Sequence, residues 1–204
     1  MTKIRTLCLV IAAASLLTAC SGAADTNTGT STSAPKLSVK VGGKDSTLDV
    51  KSTTADYSTF AVTAPGGQSV RVTLQTIYLA NHEMDASPYS WNKPLTEAGQ
   101  MRIALTLMNG DGPNENFKVG TYSAQTENAN GVYYVSINTF ADGKQTETRF
   151  YGSYMGSAKR DNKPTGEVKI TNVTADTVSG EVNLTEHDTS IKGTFTAKLP
   201  AAKK

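Results

Sequence analysis

Cysteine, histidine and tryptophan are nearly missing from this chain: its 204 residues contain two Cys, two His and one Trp. Both cysteines, Cys8 and Cys20, fall within the first twenty residues, so no disulfide can staple the body and the fold must rest on its own apolar core. Charge is sparse as well. Lys and Arg together number 20 and Asp and Glu 18, or 19% of the chain, and hydrophobic residues make up 38%. Such a chain is apolar enough to bury a core, which argues against disorder along its whole length. Lys3 and Arg5 lie ahead of Cys20 with no acid beside them, so the remainder carries eighteen charges of each sign. A neutral body has no electrostatic attraction for nucleic acid. Catalytic signatures are also missing. There is no G-x-S-x-G elbow, glycine-rich phosphate loop or H-E-x-x-H, and the expectation is a non-catalytic protein without a cofactor. A small hydrolase is the least favoured reading, because carboxylate pairs for glycoside hydrolysis leave no spacing mark in a sequence.

The first twenty residues are organised differently. Lys3 and Arg5 precede the apolar run Leu7-Cys8-Leu9-Val10-Ile11-Ala12-Ala13-Ala14, followed by Ser15-Leu16-Leu17-Thr18-Ala19-Cys20, which is the three-part plan of an export signal. The run is too short to remain as a spanning helix, which needs about 20 apolar residues. Leu17-Thr18-Ala19-Cys20 resembles the lipobox of bacterial lipoproteins. That resemblance implies cleavage before Cys20, a diacylglyceryl group on its sulfur and acylation of the new amino group. Two or three acyl chains hold a membrane stably, whereas one does so only marginally. Residue Ser21 is not the aspartate that marks inner-membrane retention in some families, so the resemblance favours the outer membrane of a bacterial cell envelope. Next, Ser21 to Pro35 has no aliphatic anchor and reads as a solvated tether spanning roughly 20 Å. The expected organisation is a signal peptide over 1–19, in helical form, a lipidated Cys20 and disordered tether over 20–35, and one β-domain over 36–204.

From Lys36 onward the apolar period is two. Leu37, Val39 and Val41 alternate with polar residues, and so do Phe60, Val62 and Ala64, then Val70, Val72 and Leu74. The pattern recurs at Met101, Ile103, Leu105 and Leu107, at Tyr133, Val135 and Ile137, at Phe150 with Tyr154, and in three C-terminal runs ending at Leu199. Alternation of this kind places apolar side chains on one face of a half-buried strand. Gly42-Gly43, Pro65-Gly66-Gly67, Asn130-Gly131 and Asp142-Gly143 supply turns, the last predicting a hairpin between Val132–Phe140 and Gln145–Tyr154. The expected fold is all-β: an antiparallel β-sandwich or an open, lipocalin-like barrel of about ten strands. Gly180 and Gly193 fall inside strand patterns and mark bulges or close backbone approach. The stretch from Gly166 to Leu199 is loosely similar to the closing meander of uncharacterised β-rich bacterial lipoproteins, which implies the fold and no activity.

Between Ala80 and Met101 the rhythm breaks for twenty residues containing Pro88, Pro94, Tyr89 and Trp91. Long loops in compact domains are usually functional or internally folded. Tyr89 and Trp91 are therefore candidate anchors for a partner protein or an extracellular polysaccharide, with the opposing reading that they fold back and plug one end of the domain. His82-Glu83 and His187-Asp188 set histidines beside carboxylates, but the spacing predicts solvated loop histidines rather than a divalent-metal site. Asp111, Asn114, Glu115 and Asn116 form an oxygen-rich stretch without EF-hand order, better explained as a turn. Ser33-Ala-Pro-Lys36 matches S-x-x-K by chance, and Asn172-Val-Thr174 and Asn183-Leu-Thr185 read as strand and turn chemistry. The expected function is a lipid-anchored envelope protein whose loops bind a partner or polymer. A carrier holding a small apolar ligand in a β-cup is the alternative.

Overall fold

The structure, a computed structural model, describes residues 35–63, 67–85, 90–110, 116–126, 130–152 and 164–200. The leader, Cys20, the tether up to residue 34, Tyr89 and the stretch 111–115 lie outside the described residues.

Eleven strands form one open sheet: β1 (Lys36–Val41), β2 (Lys44–Asp49), β3 (Ser52–Thr63), β4 (Ser69–Ala80), β5 (Met101–Asn109), β6 (Gly120–Ser123), β7 (Gly131–Ala141), β8 (Lys144–Tyr151), β9 (Thr165–Val173), β10 (Thr177–Glu186) and β11 (Thr189–Lys198). Their order is β2-β1-β11-β10-β9-β6-β7-β5-β4-β3, with β8 paired to β7 beside this path. Every pairing is antiparallel except a single parallel contact, Ser123 with Gly131, where β6 meets β7. The sheet thus has two halves joined at that corner: β2-β1-β11-β10-β9-β6 and β8-β7-β5-β4-β3. Among the described residues the sole helix is a 3-10 turn at Ser90–Asn92, and no helix is long and apolar enough to cross a membrane.

Register shows why these segments pair. In the β4 half, Ala55, Ile77, Leu105, Val135 and Phe150 form one row across five strands. In the other half, Leu48, Leu37, Gly193, Val182, Val168 and Tyr122 form a row across six. All ten side chains of these rows join one hydrophobic cluster, so the two halves bury a common core. Phe150 and Phe195 are its largest fully buried members, each worth about 3–5 kcal/mol against truncation to alanine. Two-residue turns close the hairpins. Asp142 (φ 52°) and Gly143 (φ 73°) join β7 to β8, and Gly42 (φ 55°) and Gly43 (φ 77°) join β1 to β2, the two positive φ values that a tight hairpin demands.

Two sequence patterns resolve differently from expectation. The apolar phase of β4 switches part-way, from Val70, Val72 and Leu74 to Ile77 and Leu79. An unbulged strand keeps only one phase. Pairing of Ile77 with Leu105 and Leu79 with Ile103 fixes the second, so Thr73 and Gln75 face the core and Val72 and Leu74 face away. In β7 a register shift opposite Thr106 and Leu107 makes the β5 ladder skip Tyr133, and Val132 takes the inner position that alternation gives to Tyr133. Gly180 sits at a register shift between β9 and β10, where a Cβ would lie 2.8 Å from the Phe195 ring.

Candidate functional site

The sheet's two halves present outer faces of opposite character. On the β10 half, register brings Lys40, Ser190 and Thr185 into one row, Ser38, Lys192, Asn183 and Glu167 into the next, and Thr194, Glu181 and Lys169 into a third. Lys36 pairs with Asp49 at 3.1 Å and Lys40 with Asp45 at 3.4 Å. This is a solvated, aromatic-free face among the described residues. The β5 half carries Asp56, Thr76, Thr106, Tyr134 and Tyr151 in one outer row, then Tyr78, Ala104, Ser136 and Arg149, then Ala80, Arg102, Asn138 and Glu147. Central strand β5 is buried on both faces up to Asn109, so this half is covered from outside as well as inside.

Part of the cover is the 81–100 loop. Asn81 clamps its base, its amide donating to Gly99 O and its Oδ1 accepting from Met101 N, both at 2.8 Å. Gln100 Oε1 accepts from Thr96 N at 2.9 Å and Glu97 N at 3.2 Å. Further along, Leu95 N donates to Gln145 Oε1 at 2.7 Å, and Gln145 passes the contact to Asn138 Oδ1 at 3.0 Å. Lys93 forms an ion pair with Asp85. Arg102, only 6% exposed, donates from Nη1 to Lys93 O at 2.8 Å. Burial lowers the Arg102 pKa, with Tyr78 and Glu147 opposing. Trp91 lies on the Tyr78 ring at a centroid distance of 4.8 Å and an interplanar angle of 11°. Of the two readings of Trp91, the observed geometry is the folded-back one, but against the outer face of the sheet rather than as a plug at its end. Trp91 stays partly exposed. Burial, with Tyr134 and Asp56 nearby, raises the Tyr78 phenol pKa well above its ordinary value.

Beyond the loop, the same face carries residues that sequence reading did not single out. Tyr133, Tyr134 and Tyr151 cluster where β7 meets β8, with ring centroids 5.8 Å and 6.1 Å apart and interplanar angles of 59° and 48°. All three are partly exposed. Arg149 Nε donates to Glu147 Oε1 at 2.6 Å, and that bond together with one to Tyr151 raises the arginine's pKa. The sequence signal for this cluster is the Tyr133-Tyr134 tandem. Strand alternation sends such neighbours to opposite faces, and only a bulge brings them together.

The histidine pairs fall at separate places. His82 follows β4, its carbonyl accepting from Ser52 Oγ at 2.6 Å. It lines an open, polar cleft of about 480 Å³ with Lys51, Asn81, Glu83, Glu97 and Gln100. Its Nδ1 is buried without a hydrogen-bond partner, and burial, followed by Arg102, lowers its pKa. His187 sits in the β10–β11 turn (φ 52°) with its Nδ1 3.3 Å from Asp188 Oδ1. Ser52, beside His82, starts the strand whose Thr53 Oγ1 accepts from Lys198 N, so the two pairs lie near opposite ends of β11, about 30 Å of strand apart. Among the described residues no group of three His, Cys, Asp or Glu could hold a metal ion. Of the oxygen-rich stretch, Asn116 is described, and its carbonyl accepts from Gln75 Nε2 at 2.6 Å. Lys36 of the S-x-x-K match is engaged with Asp49. In the first sequon, Thr174 Oγ1 accepts from Asp176 N at 3.2 Å and Thr177 N at 3.0 Å, which organises the β9–β10 turn.

No family model, curated protein or solved structure matches the chain.

Proposed function

We propose that this chain is a non-catalytic, lipid-anchored protein of the bacterial cell envelope, held at the outer membrane through Cys20, whose β-domain binds a partner protein or an extracellular polymer. The binding surface is the β7–β8 margin of the outer face of the β8-β7-β5-β4-β3 half, which the cover over β4 and β5 leaves partly exposed. One observation carries this reading: of two sheet faces turned outward, one holds tyrosines, the Trp91 stack and a buried arginine, and the other holds short polar and charged side chains. Aromatic side chains concentrate at recognition surfaces because they bring large contact area at little conformational cost. Among the described residues both inner faces are filled mainly by leucine, isoleucine, valine and phenylalanine side chains, with Thr73 and Gln75 among them, which favours surface binding over a β-cup carrier.

A photo-crosslinking residue placed at Tyr134 in living cells should give a discrete adduct, and one placed at Lys169 on the other outer face should give none. The reverse pattern would overturn the assignment of the face. Cys20→Ala should move the protein from the membrane fraction to the soluble one. Retention on the membrane would remove the anchor from the account.

A further inference from the structure

We propose that His82 is an acid-triggered latch: protonation of its ring loosens the 91–94 segment from the sheet and parts the Tyr78–Trp91 stack. This device belongs to the loop rather than to the β7–β8 margin, and it operates whether or not that margin binds a partner.

His82 stands at the root of the loop, where one hydroxyl fixes the backbone on both sides of it. Ser52 Oγ donates to His82 O at 2.6 Å and accepts from Met84 N at 3.0 Å, which leaves the ring little freedom to turn outward. Its Nδ1 is buried and has no hydrogen-bond partner among the described residues. A neutral ring meets this with a bare lone pair on Nδ1 and its proton on Nε2. An imidazolium carries N–H on both nitrogens, so the charged ring would bury an unpaired donor, which costs more.

The charges around the ring act in the same sense. Arg102 of β5, buried in the sheet, opposes a second cation beside it, and Lys51, just ahead of β3, lines the same cleft. Glu83 and Glu97 favour the imidazolium, but both are exposed and water screens them. Burial first, then Arg102, hold the ring's pKa below its ordinary value.

Arg102 also links the ring to the loop. Its Nη1 donates to Lys93 O at 2.8 Å, two residues beyond Trp91, while Tyr78 and Glu147 favour its charge. A charge on His82 therefore acts on the guanidinium that grips the segment. Leu95 is buried and its N–H is bonded to Gln145, so it stays seated and serves as the pivot. The Lys93–Asp85 pair joins two residues of the loop itself. Because the closed loop depresses the ring's pKa, the open form takes up the proton more readily. Closure is complete above about pH 6.5, and below it the opening equilibrium rises by at most about ten-fold per pH unit.

Trp91 is the chain's one tryptophan, and His82 and His187 are its two histidines. The test is acrylamide quenching of tryptophan fluorescence in the full-length protein, purified in detergent, from about pH 8 to about pH 5. Quenching of the wild type should rise with a one-proton midpoint below about 6.5, and His187→Gln should follow the same curve. His82→Gln should stay low and flat, and His82→Arg, charged throughout, should be high from the start. A flat wild-type curve overturns the latch, and so does a rise that persists in His82→Gln, which would pass the effect to carboxylates. Should His82→Gln fail to fold, NMR titration of the His82 ring, assigned with His187→Gln, decides instead. A midpoint below about 6.5 that coincides with the quenching curve supports the latch, and any other midpoint overturns it.

Discussion

Gly193 shows how tightly a single position is specified. A Cβ there would lie 2.7 Å from Lys36 O and 2.9 Å from Leu37 Cδ2, at φ +144°, so the β1–β11 pairing depends on the missing side chain. Gly193→Ala should cost about 1–3 kcal/mol, read as a lower denaturation midpoint in urea. Tyr78 makes a pH-dependent contribution. Its phenol pKa is raised in the folded protein, mainly by burial, so the unfolded chain releases that proton first, near the ordinary value of about 10. Stability from this group is complete below that pH and declines as pH rises above it. The wild type should therefore lose stability between about pH 9 and pH 11 more steeply than Tyr78→Phe, compared by urea denaturation at each pH. The strand pattern already marked Gly193 as a place of bulge or close backbone approach, and the approach is what the structure shows, whereas nothing in the sequence hinted at the role of Tyr78. The glycine is set by the backbone of Lys36 and Leu37, 157 and 156 positions away in sequence, and the tyrosine by a loop whose Trp91 stacks on it.

At the scale of elements, the β7–β8 hairpin is where sequence and structure agree most closely. Alternation and the Asp142-Gly143 turn predicted Val132–Phe140 paired with Gln145–Tyr154, and the strands run Gly131–Ala141 and Lys144–Tyr151. Tyr154 lies outside the described residues. Local chemistry wrote this element, since both turn residues adopt positive φ and Asp-Gly tolerates it. Asp142→Val, a β-branched residue forced into that region, should cost about 1–2 kcal/mol, measured by thermal or urea unfolding, with less tyrosine-cluster ordering in amide exchange across β8. What the sequence concealed here was the bulge at Tyr133. It requires knowing that Thr106 pairs with Tyr134 and Leu107 with Val132, a relation between strands rather than within one. The same holds in β4, where both apolar phases are written in the sequence and only pairing with β5 chooses between them. The 81–100 loop was legible as an interruption, but its landing place was not, because Gln145 holds Leu95 from 50 residues further along the chain, while Asn81 and Gln100 close the loop on itself.

For the whole molecule, the all-β class was plain in the period-two pattern, and the choice between sandwich and barrel was not. That choice depends on a single contact, Ser123 to Gly131, which joins two antiparallel halves into one open sheet around a shared core. Two outward faces of unequal chemistry result, and the proposed binding role rests on that asymmetry. The most direct test of that asymmetry is hydroxyl-radical footprinting of the protein in intact cells compared with the purified protein. Oxidation of Tyr133, Tyr134 and Tyr151 should fall in cells while residues of β9, β10 and β11 stay equally reactive in both. Equal oxidation of the three tyrosines in both settings, or protection confined to β9–β11, would contradict the account.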